Sequence, residues 1–171
     1  MNNAAVARYN CYVVCEMKIE FDYILEDHGW AVGKLRARDF YTEFDASYLY
    51  DSLDSVLWGA IGLVTDKQKV TIPFFSEPGE HQIVIEKLDR DKIEIELRWY
   101  DDYVSWNMVS QNKYEIIFKG ETTLKSFVDS AYQAAKRILD EDGPEGYSEK
   151  WRGKFPVDDF EKLERIWKAS V

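Results

Sequence analysis

Two stretches of the chain concentrate residue types that do chemistry. In Glu77-Pro78-Gly79-Glu80-His81, two carboxyl groups and an imidazole lie close together. Such a set can ligate a divalent metal or supply an acid and a base. Metal sites draw three or four ligands from separate elements, and the outside candidates are Asp101, Asp102 and His28. The second stretch, Arg98-Trp99-Tyr100-Asp101-Asp102-Tyr103-Val104-Ser105-Trp106, mixes aromatics with bare carboxylates where a strand pattern ends. Aromatic bodies supply contact area at little entropic cost and carboxylates accept from cations, so this strand exit reads as a recognition surface.

Each stretch also has a plainer reading. Pro-Gly marks a hairpin turn with solvated flanks, which accounts for Glu77 and Glu80 without catalysis. Pairing Ile85 with Ile95 and Ile83 with Leu97 across the turn Asp89-Arg90-Asp91 sets His81 beside Trp99, a packing pair. Lining a cavity with Trp99 and Tyr114 instead, His81 would orient a small ligand. Two functions therefore stand side by side. The first is a non-enzymatic interaction module that presents Tyr100, Asp101, Asp102, Tyr103 and Trp106 to a basic protein, with Trp99 turned inward. The alternative is a ligand-binding protein or enzyme with a pocket between the sheet and the long helix, lined by Glu77, Glu80, His81 and Trp99 and using His81, Glu80 or Asp101 for its chemistry.

Stronger catalytic signatures are absent from the sequence. The sequence has no Gly-x-Ser-x-Gly elbow, no His-Glu-x-x-His helix, no phosphate loop and no Cys-x-x-Cys pair. No cofactor or metal is called for, and the enzyme reading is the weaker one. The excess of 32 acidic over 22 basic residues gives a net charge of -10, which opposes a nucleic-acid backbone or an anionic membrane face. A charged partner would be basic.

Cys11 and Cys15, too far apart to bridge in an extended segment, suggest a reducing compartment. The start Met1-Asn2-Asn3 has no basic n-region followed by an apolar stretch, and the apolar run Val56 to Val64 is too short to span a bilayer. The expected location is the cytoplasm.

The elements that position these residues form one α+β domain over residues 17–171, with residues 1–16 as an upstream extension unless Tyr12, Val13 and Val14 lengthen the first strand. Ile19, Phe21, Tyr23 and Leu25 alternate with Lys18, Glu20 and Asp22, and Asp27-His28-Gly29 turns the chain into a second strand from Trp30 to Arg38. A three-residue turn with Gly29 left-handed sets Asp22 opposite Lys34, Glu20 opposite Arg36, Phe21 opposite Leu35 and Tyr23 opposite Gly33. A third strand around Tyr41 to Asp45 precedes a helix capped by Ser47, whose apolar stripe runs from Leu49 to Val64. Gly59 and Gly62 of that helix are expected against Ala31, Gly33 and Ala37.

Strand patterns at Val70 to Phe75, His81 to Leu88, Ile93 to Tyr100 and Tyr114 to Lys119 follow, and Pro73 requires the first to lie at an edge or carry a bulge. A long helix after Gly120 ends at Gly143-Pro144. A helical turn spans Tyr147 to Trp151, and a last helix opens at Asp158 with Glu161 as its capping partner. This order predicts a mainly antiparallel sheet of six to seven strands with helices packed on it.

Ala46-Ser47-Tyr48-Leu49, the Glu77-Pro78-Gly79-Glu80 turn, and the tail from Glu145-Gly146-Tyr147 through Trp151 to Phe155-Pro156 resemble a family of uncharacterised single-domain bacterial proteins over most of the chain after Met17. That resemblance implies no activity. In size, acidity and α+β character the chain is also similar to immunity proteins that neutralise bacterial toxins, which implies a basic protein as partner.

Overall fold

The computed structural model describes residues 18–169. The expected extension over residues 1–16, the lengthening of the first strand by Tyr12 to Val14, and the pair Cys11 and Cys15 lie outside the described residues. Within them the chain runs β1 (Ile19–Leu25), β2 (Trp30–Ala37), β3 (Phe40–Ser47), α1 (Ser52–Thr65), β4 (Lys69–Phe75), β5 (Glu80–Lys87), β6 (Lys92–Tyr100), β7 (Glu115–Thr123), α2 (Leu124–Glu141), α3 (Gly143–Trp151) and α4 (Val157–Ala169).

Strict alternation in β1 and β2 folds them as the expected hairpin, with Asp22 opposite Lys34 and Phe21 opposite Leu35. The Glu26 N–H donates to the Trp30 carbonyl at 2.9 Å, which closes the three-residue turn. Gly29 sits at φ +82°, and a Cβ there would lie 2.6 Å from the Tyr48 ring, so both conformation and space demand glycine. The charges, however, choose other partners. Asp22 pairs with Arg137 of α2 at 2.6 Å and Lys34 with Glu43 of β3 at 2.9 Å. Arg137 also donates to the Tyr23 carbonyl at 2.9 Å, so one guanidinium serves a carboxylate and a free backbone acceptor on the edge strand.

The seven strands form two antiparallel sheets, β1-β2-β3 and β4-β5-β6-β7. Pro73 supplies a physical reason for the split. The Lys87 N–H donates to the Gln68 carbonyl and the Ser76 N–H to the Gly79 carbonyl, so by alternation the even-numbered residues of β4 turn their backbone groups toward β5. Pro73 falls among the odd-numbered residues, whose groups face away, and has no N–H to offer a further strand. Where β3 comes beside β4, the Ser76 hydroxyl donates to the Asp45 carbonyl at 3.0 Å instead.

One contiguous core fills the space between the inner sheet faces and the helices, with Phe21, Phe44, Phe74 and Phe127 meeting near its centre. α2 packs on β1, α1 packs on β4, and the two helices pack on each other.

Several local expectations are corrected by the structure. Ser47 is the last residue of β3, and Asp51 caps α1 by accepting from the Asp54 N–H at 3.4 Å. Because β3 stays paired with β2 to Ser47, the helix starts one turn later and leaves out Leu49, while Val64, inside α1, is exposed. Gly59 and Gly62 approach Ile72, Lys67 and Val70 around β4 rather than β2, while Gly33 accommodates the ring of Phe44.

β7 continues past Gly120 to Thr123, whose hydroxyl caps α2 by accepting from Ser126 at 3.1 Å. α2 ends at Glu141, and Gly143-Pro144 begins α3. α4 begins at Val157, so Asp158 belongs to its first turn. α4 docks through Phe160, Leu163 and Trp167, the last stacked on Tyr132 at 4.4 Å. No described helix is long and apolar enough to cross a membrane.

Candidate functional site

Successive residues of a strand point to opposite faces, and this separates the two neighbours at the start of β5. His81 turns toward the core between Phe44, at 5.3 Å, and Trp99, at 4.6 Å. It stands opposite Trp99 in the β5–β6 ladder, as its register predicts, and its Nδ1 shares a 2.8 Å hydrogen bond with the Ser76 hydroxyl. Burial lowers its pKa to about 4, so the ring is neutral at pH 7. Trp99 covers Gly79, where any side chain would collide with the indole, and its Nε1 donates to Asp101 at 3.1 Å.

Glu80 turns to the outer face and is 0% exposed there. Its carboxyl accepts from the backbone N–H of Ser105 at 2.9 Å, from the Ser105 hydroxyl at 2.6 Å and from Gln82 Nε2 at 2.6 Å. These bonds fasten the segment that leaves β6. That segment makes a single 3-10 turn over Val104–Trp106, with the Trp106 and Met108 N–H groups both donating to the Tyr103 carbonyl. Val104 is buried beneath the turn.

Fastening the turn delivers two aromatic rings onto a third. Phe75, at the end of β4 and fully buried, stacks on Tyr103 at 4.7 Å and meets Trp106 edge-on at 4.8 Å. Tyr50, from the connection between β3 and α1, stacks on the same phenylalanine at 5.2 Å. Burial first, then the neighbouring carboxylates of Glu77 and Asp102, raises the Tyr103 phenol above its ordinary pKa. Trp106 is half exposed at the rim of this cluster.

The expected surface residues thus separate by role. Tyr100 is 2% exposed and donates its hydroxyl to the Gln111 carbonyl at 3.3 Å, so it supports the loop from beneath. Asp101 and Trp106 are exposed, Tyr103 and Asp102 are partly buried, and Asp102 accepts from the Tyr103 N–H at 2.8 Å. Glu77 is exposed at the neighbouring turn. Glu80 and His81 do not converge with it on one cavity.

A 440 Å³ polar cavity beside Glu80 is lined by Gln82, Arg98, Ser105 and Tyr114 among others. Arg98 there is already engaged by Glu96 at 2.5 Å and by the Tyr114 ring at 4.3 Å. Among the described residues no three His, Cys, Asp or Glu side chains are placed to hold a metal ion.

Three contributions were not assigned from the sequence: Tyr50, Phe75, and the anchoring role of Glu80. For Phe75 a signal exists. Residues 72–75, Ile-Pro-Phe-Phe, break the polar–apolar alternation and are all buried, as in a strand covered on both faces. No family model, curated protein or solved structure matches the chain.

Proposed function

We propose that the protein is an interaction module whose β6–β7 loop surface engages a basic protein. The observation that carries this reading is the aromatic stack of Tyr50, Phe75, Tyr103 and Trp106, held from below by Glu80 and flanked by carboxylates. A half-exposed tryptophan on a prearranged support is the kind of anchor that dominates interfaces, because little conformational freedom is lost when a partner covers it. The net charge of -10 favours fast encounter with a cationic partner. Occupation of a basic toxin, as by an immunity protein, is the sharpest form of the reading. Glu80 and His81 point to opposite faces of β5, which leaves the small-ligand alternative without a converging pair.

Affinity capture from native lysate, at low and high salt, tests the proposal. The parent is expected to retain a basic protein that Asp101→Ala with Asp102→Ala binds more slowly and with weaker salt dependence. Capture that is identical for parent, acid variant and Trp106→Ala would sink it.

A further inference from the structure

The exposed aromatic side chains of this protein follow a pattern that one residue breaks. Tyr41 lies under Arg36 at 5.4 Å, Tyr48 under Arg152 at 5.0 Å, Trp58 under Lys162 at 5.8 Å, and Tyr114 under Arg98 at 4.3 Å. Each of these half-open π faces holds a cation from its own chain, an attraction that offsets the cost of keeping the ring in water. Trp106 is as exposed as Tyr41, yet among the described residues no cation lies over it. Its ring is also the one placed beside Tyr103, at 5.0 Å, and Tyr103 has Glu77 and Asp102 as charged neighbours.

Building on the interaction reading above, we propose that Trp106, with Glu77 and Asp102, forms a slot for an arginine side chain supplied by the partner. Carboxylates alone attract lysine and arginine alike. A flat indole face discriminates between them, because guanidinium is planar, weakly hydrated and able to stack while its edge N–H groups reach a carboxylate. The slot is prearranged. Trp106 meets Phe75 edge-on at 80°, and its neighbour Ser105 is fixed by Glu80, so the ring does not need ordering when the cation arrives.

Calorimetric titration with an alternating Gly-Arg dodecapeptide and its Gly-Lys homologue, at low and moderate salt, tests the proposal. The parent is expected to bind the arginine peptide at least about fivefold more tightly, consistent with a stacking increment near 1 kcal/mol. Trp106→Leu retains an apolar contact with Phe75 and should bind both peptides equally. Glu77→Gln with Asp102→Asn should weaken both peptides by a similar factor and leave the arginine preference in place. Near-UV circular dichroism of Trp106→Leu confirms that the loop keeps its packing, and the two peptides on the parent give an answer even if it does not.

Equal, salt-sensitive binding of both peptides to the parent, or a preference that survives Trp106→Leu, overturns the arginine slot alone. If neither peptide binds, or if binding ignores both salt and the acid variant, the slot and the acidic-surface reading fall together.

Discussion

Ser105 donates both its backbone N–H and its hydroxyl to the buried carboxyl of Glu80, bridging 25 residues of sequence. A loop already packed on Phe75 through Tyr103 and Trp106 is thereby also tied to the first residue of β5. Glu80→Gln puts a donor where acceptors are needed, and a buried donor left without a partner costs about 1–3 kcal/mol. Urea denaturation should register that loss, and hydrogen exchange at the Ser105 and Met108 amides should quicken. Unchanged protection of the Ser105 amide would mean that Glu80 does not hold the loop.

Phe75 and Trp106 touch each other but should respond very differently to truncation. Phe75 is fully buried between three rings, and Phe75→Ala should cost about 3–5 kcal/mol through the cavity it leaves. Trp106 is half exposed, and its removal should cost about 1 kcal/mol or less. Thermal melts of the two variants compare them directly. A Trp106→Ala protein as unstable as Phe75→Ala would reassign Trp106 to the core.

Two groups set opposing pH dependences in one window. His81 is depressed from 6.5 to about 4 by burial, so the unfolded chain takes up a proton that the folded chain refuses, and stability is lost as pH falls from 6.5 toward 4. Asp54 is raised from 3.8 to about 6, by burial first and then by Asp51 and Asp159. Its favourable contribution is present below about pH 4 and lost as pH rises through about 6. Asp54→Asn should therefore stabilise the protein at pH 7, give no gain at pH 4, and steepen the fall between them. Chemical denaturation at several pH values reads this out, and a gain at pH 4 as large as that at pH 7 contradicts it.

Gly29 and Gly143 both have positive φ, at +82° and +68°, but only Gly29 is crowded. Nothing lies within 4 Å of a Cβ placed on Gly143, whereas the Tyr48 ring lies 2.6 Å from one placed on Gly29. Gly143→Ala should cost about 1 kcal/mol from backbone strain, and Gly29→Ala should cost more, because the ring must also move. Equal losses in urea would show that Tyr48 yields freely.

What was legible in the sequence was local. Residues 19–37 declared their hairpin through period-two alternation and a turn of defined length, and the pairing of His81 with Trp99 followed from the same arithmetic on β5 and β6. What escaped depended on distant partners. Asp22 faces Lys34 across the ladder but binds Arg137, 115 residues away, because α2 offers a fork of donors to the edge of β1. Ser47 carries a good capping side chain, yet pairing of β3 with Trp30 keeps it in the sheet. The loop from Tyr100 to Trp106 was recognisable as aromatic and acidic, but strand alternation alone does not reveal that Glu80 beneath it binds Ser105.

Every strand pair in the two sheets joins neighbours in sequence. Both meanders can therefore form with small loop-closure costs as soon as their own residues have left the ribosome. β1 is different. Its backbone acceptors at Ile19 and Tyr23 are met by Ser126 and Arg137, more than 100 residues later. During synthesis the part of the first meander that α2 covers stays open until α2 itself has emerged. Truncations that stop before α2 should leave it sensitive to protease, and extension through Glu141 should confer protection, which makes α2 the element that commits the early half of the chain to its final state.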